Sequence, residues 1–117
     1  MPTTADSFLP LGPNVFNVLL ALADGEKHGY AIMREIRART GEPLGTSTLY
    51  GIIKRLVEDE LIEESDERPD PSLDDERRRY YVLTELGRAV AVAESKRLEA
   101  TLVVARAKRL IPQVRPR

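Results

Sequence analysis

Thr46, Ser47, Thr48, Tyr50, Lys54 and Arg55 put three hydroxyls, a phenol and two cations into one short stretch of chain. Hydroxyls and the free N–H groups of a helix start suit phosphate oxygens, and the cations add attraction to a polyanion. Gly51 lies among them, where a missing side chain lets the backbone approach a partner. A glycine inside a helix costs about 1 kcal/mol relative to alanine, so it asks for a reason. A second basic group, Arg77, Arg78 and Arg79, follows directly on Asp74, Asp75 and Glu76.

Other chemistries are poorly supplied. His28 is the single histidine and there is no cysteine, so a metal site or thiol nucleophile lacks ligands. A local capping role at a helix start accounts for His28 better. Acid pairs such as Asp74-Asp75 lie in a Pro-containing polar loop, without the low-dielectric setting that shifts a carboxylate into acid–base work. The sequence thus names no catalytic residue, metal or cofactor.

The elements that must hold these residues follow from periodicity. Pro13 suits a first helical turn, and Phe16, Leu19, Leu20 and Ala23 follow helical spacing up to a stop at Asp24-Gly25. A second helix spans 29–39 with Ile32, Met33 and Ile36 inward, and Gly41 and Pro43 end it. A third carries Leu49, Ile52, Ile53, Leu56 and Val57 as one apolar stripe, with Thr46 or Ser47 as cap, and runs to about residue 60. Leu61 and Ile62 begin a short strand. Residues 65–79 form a charged loop, and "RRYYVLT" returns as a strand that sets Tyr80 and Tyr81 on opposite faces. Which tyrosine is buried stays open at this stage.

Thr84 caps a last helix from Glu85 to about Ile111. Leu86, Val90 and Ala93 can touch the domain, but Leu98, Leu102, Ala105 and Ile111 need another surface. The simplest source is a second copy of the chain. The expected organisation is a flexible segment (1–10), a helix-and-hairpin domain (11–84), a dimerisation helix (85–112) and a tail (113–117). The fold class is mainly α with a small β-hairpin.

The formal net charge of −1 hides segregation: residues 28–56 carry +3, 57–79 carry −7 and 85–117 carry +5. Local fields therefore matter more than the total. No apolar run approaches the ~20 residues needed to span a bilayer, and the start lacks a secretory signal, so a cytoplasmic address is expected.

Three helices, a strand, a polar loop, a strand and a helix follow the order of a winged helix-turn-helix. There the third helix enters the DNA major groove and the loop forms a wing beside it. A polar helix face with Lys and Arg is ordinarily only a solvated face; the order of elements favours a contact surface.

The blocks "LLALADGEKHGYAIMREI", "GTSTLYGIIKRLVEDELIEE" and "DDERRRYYVLTELGR" resemble the signature blocks of PadR-like transcriptional regulators. The most specific parts are His-Gly-Tyr at 28–30, Thr-Leu-Tyr at 48–50 and Arg-Tyr-Tyr-x-Leu-Thr at 79–84. The resemblance covers about residues 11–112 and points to the subgroup with a single short C-terminal helix. It implies a repressor that binds a double-stranded operator as a homodimer, through its last helix and often its first. By position, Tyr30, Ser47, Thr48, Tyr50 and Lys54 match DNA-contacting places, and Arg78 and Arg79 match the basic end of the wing. Parts of the family take a small-molecule inducer in the dimer cleft, some by tryptophan stacking; this chain has no Trp and nominates no inducer. The alternative is a winged-helix protein-interaction module without DNA binding, which the overall charge and the acidic loop favour slightly.

Overall fold

The computed structural model describes residues 4–65 and 79–112. Four helices, α1 (Pro13–Ala21), α2 (Gly29–Thr40), α3 (Thr46–Glu58) and α4 (Glu85–Ala107), enclose one core. Three strands, β1 (Lys27–His28), β2 (Ile62–Ser65) and β3 (Tyr80–Leu83), form an antiparallel sheet in the order β1-β3-β2. The expected hairpin is present as β2 and β3, with Glu64 opposite Tyr81. The third strand was not expected. His28 pairs with Tyr80 and Lys27 with Tyr81, which ties the start of α2 to the returning strand.

The core joins Val18, Leu19, Ala21 and Leu22 from α1 and its end, Ile32 and Ile36 from α2, and Leu49, Ile53 and Leu56 from α3. Leu61, Ile62, Tyr81 and Val90 close it. The buried face of α1 is shifted from the expected one. Phe16 and Leu20 are half-buried, and Ala23 is exposed because it lies past the helix end. On α3 the stripe narrows: Ile52 is half-buried and Val57 exposed.

Two helix ends correct the sequence reading. Both α3 and α4 close with a left-handed residue that is not glycine, Glu60 and Arg109. The N–H of Leu61 donates to the Leu56 carbonyl at 2.9 Å, and that of Leu110 to the Ala105 carbonyl at 2.9 Å. This pairing satisfies carbonyls that a helix end leaves open, and it turns the chain out. Helix α4 therefore stops at Ala107, not near Ile111. The start of α4 is as expected: Thr84 is its cap, with the Gly87 N–H donating to Oγ1 at 2.9 Å. The start of α3 is not. Gly45 is its cap, without a side-chain bond, and Thr46 and Ser47 lie inside the helix.

The segment expected to be flexible is partly seated. Ala5–Phe8 form a 3-10 turn packed on α4. Just after it, the chain is held by Glu94, a buried acid on the domain face of α4. The Leu11 N–H donates to Glu94 Oε2 at 3.1 Å, and Arg97 Nε donates to Oε1 at 2.5 Å. The Arg97 hydrogen bond holds the Glu94 carboxyl below its ordinary pKa; burial opposes this, and the Leu11 N–H and the charge of Arg97 add to it. A carboxyl lowered on folding stabilises the fold above its unfolded pKa, and that share is lost as pH falls through the folded one. Unfolding of the wild type and of Glu94→Gln should therefore converge in stability as pH drops below the ordinary carboxylate range. A constant gap between them, by denaturant titration from neutral to acid, would remove Glu94 from the acid response. No helix among the described residues is long and apolar enough to cross a membrane.

Candidate nucleic-acid interface

The three short motifs singled out in the sequence meet at one place. His28 is the cap of α2: its Nδ1 accepts the Ala31 N–H at 3.0 Å. Its ring stands edge-on to Tyr80, with centroids 5.4 Å apart, and stacks towards Tyr30 at 6.5 Å. Tyr30 is exposed, and the Arg34 guanidinium lies 5.2 Å from its ring centroid, within cation–π range. Gly29 is buried because the Tyr50 ring lies against it; an added Cβ would come within 2.5 Å of the Tyr50 hydroxyl oxygen. His-Gly-Tyr, Thr-Leu-Tyr and Arg-Tyr-Tyr are thus parts of one joint between α2, α3 and β3.

That joint changes what Tyr50 does. The sequence placed it on the outward face of α3, but its half-buried ring turns towards α2 and sets the spacing of the two helices. Its neighbour Thr46 also faces α2, with Oγ1 3.9 Å from Met33 Sδ. The exposed residues of α3 include Ser47, Thr48, Gly51, Lys54 and Arg55. At 100° per residue, Ser47, Gly51, Lys54 and, in the last turn, Glu58 lie furthest from the buried Leu49–Ile53–Leu56 side. Gly51 would meet nothing within 4 Å if it carried a Cβ, so no packing inside the chain requires glycine there. Thr48, Gly51 and Arg55 also border a groove of about 530 Å³ whose far wall is Phe8, Leu11 and Val15. Arg55 is only loosely paired, Nε to Asp59 Oδ2 at 4.0 Å.

On the wing side, Arg79 lies beside β2, with Nε 3.6 Å from Glu64 Oε1. Arg77 and Arg78 fall outside the described residues. The tyrosine question is answered: Tyr81 is in the core, and Tyr80 is half-buried against His28. On α4, Leu98 and Ala105 are half-buried, while Leu102 is exposed. All three continue the helix face that buries Gly87, Val90, Ala91 and Glu94. Ile111 lies beyond the helix end and is half-buried. The contact of Arg34 with Tyr30, one turn apart on α2, was not part of the sequence reading.

Comparison with known proteins fits this architecture. The Transcriptional regulator PadR-like family model matches residues 18–93. A PadR family transcription regulator from Clostridium difficile is similar in structure, with TM-score 0.70 and 24% identity over 82% of this chain and 97% of that one. RosR of H. salinarum, in the hsRosR-S4 complex, gives TM-score 0.63 and 26% identity over 92% of this chain and 98% of that one. An uncharacterized 37.1 kDa protein in transposon TN4556 of Streptomyces fradiae is 38% identical over 78 residues. Those residues are 67% of this chain, which spans about a fifth (21%) of that longer relative. A family match across most of the chain, over the residues that build the α2–α3–β3 joint, leads to one conclusion: the chain belongs to the PadR-like family of transcriptional regulators.

Proposed function

We propose that the chain is a cytoplasmic, sequence-specific DNA-binding repressor that acts as a homodimer, with α3 in a major groove and the wing on the backbone. The observation that carries this reading is the outward side of α3. Ser47, Gly51 and Lys54 are exposed together, and Gly51 is unexplained by packing within the chain. Lys54 can reach a base edge or phosphate, Ser47 can bond phosphate, and the bare Gly51 backbone lets the helix sit deep. Thr48, Arg55 and Tyr30 flank them, and Arg79 with the wing arginines approaches the neighbouring phosphates. Tyr50 and Thr46 serve as positioning residues.

The experiment is titration of genomic fragments, selected for binding, at several salt concentrations. Affinity should fall steeply with salt, because neutralised phosphates release counterions. Lys54→Ala should cost about 1–3 kcal/mol of operator preference if Lys54 reads a base. Gly51→Ala should also weaken the operator complex. Equal binding of all sequences by the wild type would sink the reading, as would full operator affinity in both variants.

The dimer is assigned to α4. Its inward stripe runs past the domain to Leu98, Leu102 and Ala105, and Leu102 is left exposed by the described residues. Leu102→Asp should yield a monomer in sedimentation, with operator affinity lowered at least tenfold because two half-sites are no longer held together. A dimeric variant would place the interface elsewhere.

A further inference from the structure

We propose that α2 carries a second phosphate-contacting edge, formed by Arg34 and Arg37 and preset by the stack of Arg34 on Tyr30. The proposal rests on the DNA-binding reading above and extends it to residues that neither the motifs nor the family resemblance nominated.

The first observation is how the arginines are engaged. Arg39 Nη1 donates to Asn17 Oδ1 at 2.9 Å, which fastens α2 to α1. Arg88 Nη2 donates to the Ala23 carbonyl at 3.0 Å, and Arg97 is held by Glu94. Those guanidiniums serve the fold. Arg34 and Arg37 are exposed, and among the described residues neither has a carboxylate or carbonyl partner. Arg34 instead rests on the face of the exposed Tyr30 ring.

The second observation is direction. Gly29 lies under the Tyr50 ring and Met33 lies by Thr46, so their row of α2 faces α3. Arg39 marks the α1 side, and Glu35, 3.6 Å from Lys27, marks the side of β1. Tyr30, Arg34 and Arg37 share the remaining side, at i, i+4 and i+7, next to the α3 row and away from α1. They therefore border the same outer surface as Ser47 and Lys54.

The third is chemistry. A guanidinium held over a ring by cation–π attraction spends no N–H on a carboxylate or carbonyl, and its N–H fork matches two oxygens of one phosphate. Stacking also limits the rotamers that Arg34 must give up on binding. His28 and Tyr80 stand behind Tyr30, so the array connects the returning wing strand to the α2 edge. A base-reading role fits less well, because α2 lies beside the groove-entering helix in this fold.

The test uses the full chain on its selected operator and on an unrelated duplex, each across a salt series. Arg34→Ala should weaken both duplexes alike, by roughly fivefold to tenfold near 0.1 M salt, and should lower the salt slope by about one. Arg34→Ala with Arg37→Ala should lower the slope by about two. Tyr30→Phe, which keeps the ring, should retain the Arg34 contribution; Tyr30→Ala should lose part of it, and Tyr30→Ala with Arg34→Ala should lose less than the product of the single losses. Both side chains are exposed, so thermal midpoints should stay at the wild-type value. The proposal is overturned if Arg34→Ala leaves affinity and slope unchanged while Lys54→Ala still abolishes operator preference. A loss confined to the operator would make Arg34 a base contact and overturn it too. Absence of salt-sensitive DNA binding by the wild type would instead remove the DNA-binding reading, and this proposal with it.

Discussion

Replacing Gly87 by alanine should unfold the protein or remove most of its stability. A Cβ at that position would lie 1.8 Å from the Leu61 carbonyl oxygen and 2.8 Å from its carbon. The obstacle is backbone, and it is held in place. The Leu61 oxygen accepts the Thr84 N–H at 3.1 Å, and the Thr84 hydroxyl donates to the Glu60 carbonyl at 2.6 Å. Relief would require α4 to leave the end of α3, opening the core at Val90 and Leu61. Ordinary overpacking costs about 1–3 kcal/mol, and this contact is tighter than ordinary. A domain has only about 5–15 kcal/mol in total. The higher helix propensity of alanine, about 1 kcal/mol, cannot offset it. Denaturant unfolding decides the matter, with Gly51→Ala as the control. The control should be stabilised by up to about 1 kcal/mol, because nothing stands near its Cβ. A wild-type midpoint for Gly87→Ala would show that α4 can shift freely at its start.

The second large effect is expected at Gly29. Its Cβ would come within 2.5 Å of the Tyr50 hydroxyl oxygen and 2.9 Å of the ring carbon that bears it. Here the obstacle is the far end of a side chain, so the ring can swing. The loss should be smaller than at Gly87, about 1–3 kcal/mol. The two positions should also be coupled. In a Tyr50→Ala background, Gly29→Ala should cost little, giving an interaction energy of about 1 kcal/mol or more in a double-mutant cycle. Additive losses would mean that the ring does not set the spacing of α2 and α3. The cycle also separates packing from DNA contact, since both variants can be unfolded without DNA present.

These glycines show where a sequence is legible. The order of helices and strands could be read because each carries its own period: the Leu49–Ile53–Leu56 stripe, the Thr84 cap, the Asp24-Gly25 stop. The two-residue β1 could not, because Lys27-His28 is too short to show alternation. Gly29 and Gly87 are helical glycines whose reason is another segment far along the chain, and single-residue spacing carries no such information. Tyr50 was misdirected for the same cause. Its place on the helix wheel lies between the core and the outside, and only Gly29 opposite decides which way the ring turns. Glu94 left a trace in the sequence, an acid among Val90, Ala91 and Leu98 on one helix face, but its partner, the Leu11 backbone N–H, left none. The candidate site was half legible: Ser47, Gly51 and Lys54 are on the outward side, whereas Tyr50 and Thr46 turn towards α2.

The strand order has a consequence for self-association. With β3 in the middle, β2 lies at one edge of the sheet formed by the described residues. Such an edge invites a second chain to add on, strand against strand. Here it is only four residues long, and Glu63 and Glu64 stand on it exposed. Two copies meeting edge to edge would bring four carboxylates together, so the sheet discourages zippering into larger assemblies. The acids on this edge thereby work against strand-to-strand pairing of copies of the chain.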